Sequence, residues 1–287
     1  MPSAPPQTPY ATNQEIWSFN GTALQSANGA WNISTMGGSR FGIPVNRGQN
    51  VPVPYRAGQS WRAKYPDSRT VTLTMWADGQ GSVSGYPASD QRLAFNDNIQ
   101  QLRALFFSRD DGGSKLGQLQ RNWYFTQSGS PTLVQSTAMA EVAGSMDLTM
   151  SGRTHAAFSV DLLLADPYFY GAQRTQAITT SGTIVGRGEG IVGEGWFSAV
   201  SGFTISCTAG CTVTNTTLGL SFTLSSVTNS PVVVDVLRQT VIDNSGNNVI
   251  GTLTHAGSRL WMALGPGNNA FTVSAGTATF TWNDAYI

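Results

Sequence analysis

Residues able to do chemistry are sparse in this sequence, and their spacings match few mechanisms. Gly188-Glu189-Gly190-Ile191-Val192-Gly193 has the pattern of a dinucleotide-binding loop, where glycines let the backbone approach a pyrophosphate at a helix N-terminus. Glu194-Gly195-Trp196-Phe197 follows and reads as turn and strand, so the required helix is missing and the run reads as a flexible Gly-rich loop. His155 and His255 lie in different predicted domains, which leaves no local pair for a metal or a Ser/His/Asp relay. Paired carboxylates suit glycoside hydrolysis, and Glu189 with Glu194 or Asp110 with Asp111 are the nearest pairs. The first lacks an aromatic platform for a sugar; the second follows a helix end and reads as solvated. Neither a nucleophile elbow, a phosphate-binding lysine loop nor an HExxH pair occurs in the sequence. The chain therefore reads as non-enzymatic, with no catalytic residue, cofactor or metal expected.

Two further clusters are structural candidates. Cys207 and Cys211 lie four apart without a second Cys or His pair to complete a zinc site. They read as free thiols in preference to a strained local disulfide. Between Arg40 and Arg69 stand Arg40, Arg47, Arg56, Arg62, Lys64 and Arg69 against one acid, Asp67. The interleaved Pro44, Pro52, Pro54, Tyr55 and Trp61 make this stretch extended or looped. Its readings are contacts between subunits, a solvated loop, or nucleic-acid binding, and the last is opposed by a net charge of zero.

Composition limits the elements that could position these groups. Charged residues are 11% of the 287, against about 25% in an ordinary soluble protein. Gly, Ser and Thr (32, 29 and 31) take their place, a mixture that suits strands and turns and disfavours exposed helices. Hydrophobic residues at 40% exclude disorder of the whole chain. Fourteen of the sixteen basic residues are Arg, which suits interfaces, although a GC-rich genome gives the same bias. The start, Met1-Pro2-Ser3-Ala4-Pro5-Pro6, lacks the basic and apolar regions of a signal peptide, and no apolar run approaches a membrane span of about 18 residues. A soluble product made in a cytoplasm is expected, with residues 1–12 a proline-rich arm.

Short strands are expected at Ile16 to Phe19 and Trp31 to Ser34, and Val71, Leu73 and Met75 alternate with Thr72 and Thr74 in a half-buried strand. One helix is expected over about 89–109. Ser89 is its N-cap candidate, Phe95, Ile99, Leu102 and Phe106 form its apolar stripe, and Arg103 and Arg109 suit its C-terminal end. Strands resume at Gln118 to Thr126, Leu133 to Glu141 and Ala157 to Leu164, closed by Asp166-Pro167-Tyr168-Phe169-Tyr170-Gly171. The polar residues 172–182 read as a linker between a first domain, 1–171, and a second, 183–287. Recurring apolar runs at Phe203 to Ile205, Leu218 to Leu224, Val232 to Leu237, Val249 to Leu253, Leu260 to Leu264, Phe271 to Val273 and Ala278 to Trp282 predict an antiparallel sandwich or jelly roll. The fold class is mainly β with one α-helix.

Taken together, these features resemble the distal tail protein of long-tailed phages, often called a minor tail protein. Its carriers are Val71 to Ala77 with the helix after it, Phe158 to Gly171, and Trp261-Met262-Ala263-Leu264-Gly265-Pro266-Gly267-Asn268-Asn269 with Phe271, Val273 and Phe280-Thr281-Trp282, which resembles that family's last hairpin. Independently of the resemblance, Pro167 would end the preceding ladder, the aromatics beside it would cover the sheet's open end, and Gly265 and Gly267 would allow a turn before Asn268.

The resemblance implies a tail-tube-like first domain that closes with five copies of itself into a ring, and a galectin-like sandwich that projects outward. It further implies that this homohexamer joins the tail tube to the tail-tip proteins. Its lumen would pass the tape measure protein and then the phage DNA, in a virion assembled in the bacterial host cytoplasm without membrane insertion. Arg40, Arg47, Arg56, Arg62, Trp17 and Trp31 are the candidate subunit contacts, and Asp166, Pro167, Tyr168, Tyr170, Gly171, Trp261, Pro266, Gly267 and Asn268 the structural motif residues. About 105 residues leave no room in the second domain for the carbohydrate-binding insert some relatives carry. The alternative is a sandwich that recognises a host glycan, with Trp196 and Trp282 as its first aromatic candidates, although both also suit a core.

Overall fold

The structure, a computed structural model, describes residues 15–34, 45–48, 51–52, 59–60, 65–82, 84–85, 87–107, 116–127, 130–144, 146–186, 200–208, 210–225, 229–236, 238–257, 261–265 and 267–286. The expected arm at 1–12 and the Gly-rich run 188–193 lie outside these residues. The backbone divides into two compact units, Met1–Phe169 with Ile287, and Tyr170–Tyr286.

In unit 1, β1 (Ile16–Phe19), β2 (Thr22–Ala23) and β3 (Trp31–Ile33) precede four two-residue strands: β4 (Asn46–Arg47), β5 (Val51–Pro52), β6 (Gln59–Ser60) and β7 (Tyr65–Pro66). The β5–β6 ladder nests inside β4–β7, an extended form in keeping with the prolines of this stretch. Then come β8 (Arg69–Asp78), a 3-10 turn (Ala88–Asp90), α1 (Gln91–Phe107), β9 (Leu116–Gln127), β10 (Ser130–Ala143), β11 (Thr149–Met150) and β12 (His155–Leu164). Antiparallel pairing orders the main sheet β2, β1, β9, β10, β12, β8, β3, with β11 on the same edge of β12 as β10.

The period-two pattern of β8 sets this sheet's faces: Val71, Leu73 and Met75 are fully buried, and Thr72 and Thr74 lie on the other side. The stripe of α1 packs against the buried face, where Phe106 stacks on Phe19 with centroids 5.6 Å apart. Each such fully buried large side chain contributes about 1.5–3 kcal/mol. The helix start differs from expectation. Ser89 does not cap it but lies within the 3-10 turn, which no side chain caps, and α1 begins at Gln91. The approach is set instead by Gly79, where a Cβ would collide with the Gln91 carbonyl, and by Asn98. Asn98 is buried and donates to the carbonyls of Asp78 and Gly81, each at 2.8 Å.

Unit 2 opens at the second residue of β13 (Phe169–Ile178) and continues through β14 (Ser181–Gly186), β15 (Val200–Cys207), β16 (Thr212–Asn215), β17 (Leu220–Leu224), β18 (Val232–Asp235), β19 (Thr240–Ile242), a 3-10 turn (Ile250–Thr252), β20 (Leu253–Ala256), β21 (Gly267–Val273) and β22 (Ala278–Tyr286). One sheet runs β19, β18, β15, β22, β13 and the other β14, β21, β16, β17, β20. Alternating side chains from both fill one core, in which Phe271 of one sheet meets Phe280 of the other at 4.7 Å.

Several expectations change here. Residues 172–182 are not a linker: β13 runs to Ile178 and β14 opens at Ser181. Few side chains there are buried, so low apolar content marks a strand with both faces largely exposed, not a connection. Val249 to Leu253 is mostly 3-10 turn, and Leu260 to Leu264 is not a strand among its described residues, although Met262 and Leu264 are buried. The expected last hairpin is instead an arch. Both edges of β21 are taken by β14 and β16, so β22 crosses to the other sheet and pairs with β15.

Candidate assembly surfaces

Strand register defines the outward face of the unit 1 sheet. Opposite residues on paired strands share a face, so the ladders align Gln120 with Thr137, Gln118 with Met139, Glu141 with Leu163, Asp161 with Thr72, and Ser159 with Thr74. Hydroxyls and amides outnumber the apolar side chains of this face, among which Leu116, Leu133 and Met139 are exposed. Its formal charges among the described residues are the carboxylates of Asp78, Glu141 and Asp161, with Asp147 in the adjoining groove, and no Lys or Arg. Thr72 Oγ1 donates to Asp161 Oδ1 at 2.6 Å, and Asp78 meets the His155 ring nitrogen at 3.2 Å. A shallow groove of about 550 Å³ runs past Thr74, Asp147, Thr149, Ser159 and Asp161. Such a face offers water many partners and a polyanion no counter-charge.

Several arginines serve the interior instead. Arg121 of β9 is buried, ion-paired with Glu15, and lies over the rings of Trp17 and Trp123 at 5.8 and 4.4 Å. Arg69 is buried over Phe169, 5.3 Å from its centroid. In unit 2, Arg174 lies 5.1 Å over Trp282, donates to the Val185 carbonyl at 2.9 Å and meets Asp284 at 3.2 Å. With Gln176, which donates to the Thr183 carbonyl at 3.0 Å, Arg174 occupies backbone acceptors of the outlying strand β14. That is a protected edge, unavailable for strand addition.

The candidate subunit contacts separate accordingly. Trp17 and Trp31 are 0% and 4% exposed, so both rings belong to this chain's own core rather than to a neighbour's surface. Alternation explains it, since each sits at an inward position of its strand. Arg47 stands in β4, while Arg40, Arg56 and Arg62 lie outside the described residues.

At the end of β12, Asp166 Oδ1 accepts from Tyr168 N at 3.3 Å, and Pro167 is buried in the turn. Burial first, then the Asp166 carboxylate, push the Tyr168 hydroxyl above its ordinary range. Phe169 meets Trp17 edge-on at 5.8 Å. Tyr170 is half-buried, and the Gly171 carbonyl accepts from Asn283 at 2.9 Å.

The second motif has an organiser that its turn residues did not reveal. Gly267 is buried at φ +76° and Asn268 is exposed opposite Val185; Pro266 lies outside the described residues. Asn269, fully buried, accepts from Gly265 N and donates to the Gly265 carbonyl, both at 2.8 Å. Asn215, also buried, donates to the Ala263 carbonyl at 3.0 Å. Trp261 is half-buried with its ring 4.9 Å from His255, whose imidazole burial pushes below its ordinary range. Trp282 is 1% exposed and cannot stack on a sugar; Trp196 lies outside the described residues. Asp243 shapes the turn from Asn244 to Asn247, and side-chain amides of Asn229 and Asn247 with backbone donors hold its carboxyl at about 2.

Among the described residues, no group of three His, Cys, Asp or Glu side chains could hold a metal, and no helix is long and apolar enough to cross a membrane.

No family model matches the sequence, and no curated protein does. Solved structures do match. The SPP1 Dit protein (gp 19.1), described as a paradigm of the hub adsorption apparatus in phages infecting Gram-positive bacteria, aligns with TM-score 0.53 and 14% identity over 96% of this chain and 100% of its own. More distant chains come from the phage P2 baseplate in its activated conformation. The form with Ca gives TM-score 0.36 and 10% identity over 94% of this chain and 98% of that one; the form with Sr gives 0.34 and 9% over 93% and 98%. From end to end, this mainly β chain resembles a phage Dit hub protein in fold.

Proposed function

We infer that the chain is a structural subunit of a phage tail hub. Unit 1 acts as a tail-tube-like domain that closes with five copies of itself into a ring at the distal end of the tail. Unit 2, a galectin-like sandwich, stands outside the ring. The ring joins the tail tube to the tail-tip proteins, and its channel passes the tape measure protein and then the DNA. The chain is not an enzyme, and it works in the virion after assembly in the host cytoplasm.

One observation carries this reading: on the fold of a hub protein, the outward face of the unit 1 sheet is hydroxyl- and amide-rich, with carboxylates and no Lys or Arg among its described residues. A channel wall that met DNA with arginines would retain it through counterion release, and this face avoids that. Low overall charge further favours self-association. Analytical ultracentrifugation of the purified chain at tens of micromolar tests the ring. A species of six times the monomer mass is expected, and a monomer across the whole concentration range overturns the proposal.

A further inference from the structure

The outer edge of β1 is closed by a side chain. Trp17 turns both of its backbone groups away from β9, toward β2. Its carbonyl accepts from Leu24 N at 2.8 Å, one residue past the end of β2 at Ala23. Its N–H donates to Gln25 Oε1 at 2.9 Å, and Gln25 Nε2 donates to the Glu15 carbonyl at 3.0 Å. One half-buried carboxamide thus offers β1 the acceptor and the donor that a neighbouring strand would offer. The main chain is fixed on either side of Gln25, because Leu24 N bonds to the Trp17 carbonyl and Ser26 N to the Trp31 carbonyl of β3 at 3.0 Å. The amide can therefore be removed without dismantling the connection that carries it.

We propose that Gln25 is an autoinhibitory guard: its carboxamide occupies the two backbone groups through which β1 would otherwise pair with β1 of a second copy of this chain. An antiparallel strand centred opposite Ile16 engages the Glu15 carbonyl and the Trp17 N–H. A second β1 meets that requirement with the same two groups, since across a two-fold axis at Ile16 each Trp17 N–H reaches the other copy's Glu15 carbonyl. Charges and prolines are the usual devices against such pairing. β1, Ile-Trp-Ser-Phe, has neither, so the side-chain amide supplies the protection. With this edge closed, copies of the chain assemble through other surfaces, and the guard acts whether or not they form a ring.

Disulfide trapping in the full chain tests the guard. In the two-fold pair the residues at position 16 face each other at a non-hydrogen-bonded site, where Cα atoms approach to about 4.5 Å, within disulfide range. I16C and I16C/Q25A are oxidised in air at tens of micromolar, and peptide mapping separates links between the two position-16 thiols from any that involve Cys207 or Cys211. The linked dimer is expected to be about tenfold more abundant when Gln25 is replaced, and hydrogen exchange of residues 15–19 in dilute Q25A about tenfold faster than in the wild type. Q25M, which keeps the length and apolar stem without the amide, takes the place of Q25A if the alanine variant loses its cooperative urea transition. Equal linking with and without Gln25, no linking in the folded variants, or unchanged exchange overturns the guard. The wild-type assembly state is read separately by ultracentrifugation, so the absence of a ring leaves this comparison intact.

Discussion

Each unit stacks an arginine on tryptophan and ties it to an acid, but the two arrangements differ in depth. In unit 1 the Arg121 and Glu15 side chains are 7% and 17% exposed, and the guanidinium lies over two indoles. In unit 2 Arg174 is 34% exposed, and beyond Trp282 and Asp284 it reaches a carbonyl of β14. Depth decides what the same chemistry does. The closed arrangement belongs to a core, where an unpaired charge is costly, and the open one guards a sheet edge, where solvent shares the charge.

The largest expected effect therefore falls on unit 1. Arg121→Ala strands the Glu15 carboxylate and should cost about 3–5 kcal/mol, read as the shift in unit 1's urea transition. Arg174→Ala should cost less, about 1–2 kcal/mol: the arginine is a third exposed, and the Asp284 carboxylate it leaves, although 6% exposed, keeps a donor in the Trp282 indole. Equal losses at the two sites would break the contrast.

The buried amides extend it. Asn98→Ala in unit 1 and Asn269→Ala in unit 2 each leave buried carbonyls without a donor, so each should cost about 2 kcal/mol. Hydrogen exchange should locate the first loss at 79–98 and the second at 261–269.

The smallest effect is on pH dependence, through Asp243. Its folded carboxyl is held at about 2 against 3.8 ordinarily, so folding favours the ionised form. That stability is fully present above about pH 4 and lost as pH falls toward 2. Asp243→Asn should flatten the acid limb of unit 2's urea midpoint between pH 5 and 2, and an unchanged limb would remove Asp243 from the account.

These contrasts show what the sequence makes legible. Alternation at Val71, Leu73 and Met75 and the stripe from Phe95 to Phe106 are local periodicities, and both are realised in β8 and α1. The sandwich runs were readable for the same reason. Partner choice was not: nothing local says that β21 and β22 take different neighbours, so an arch read as a hairpin. The arginines misled more deeply. Charge in sequence suggests a surface, yet Arg121 acquires its acid 106 residues away and its indoles from two strands, a pairing only register reveals. Asn98, Asn215 and Asn269 left no signal, because an amide that will satisfy buried carbonyls looks like any other in a Gly- and Thr-rich chain. The candidate channel face was hidden as well. Its lack of cations emerges only when β8, β9, β10 and β12 are aligned.

That alignment supports the central claim, which an electron microscopy reconstruction of the assembled chain tests most directly. The account predicts a six-membered ring with Thr72, Gln120, Thr137 and Ser159 on the channel wall and unit 2 on the outside. A ring with that face turned outward, or a sample of monomers alone, would contradict it.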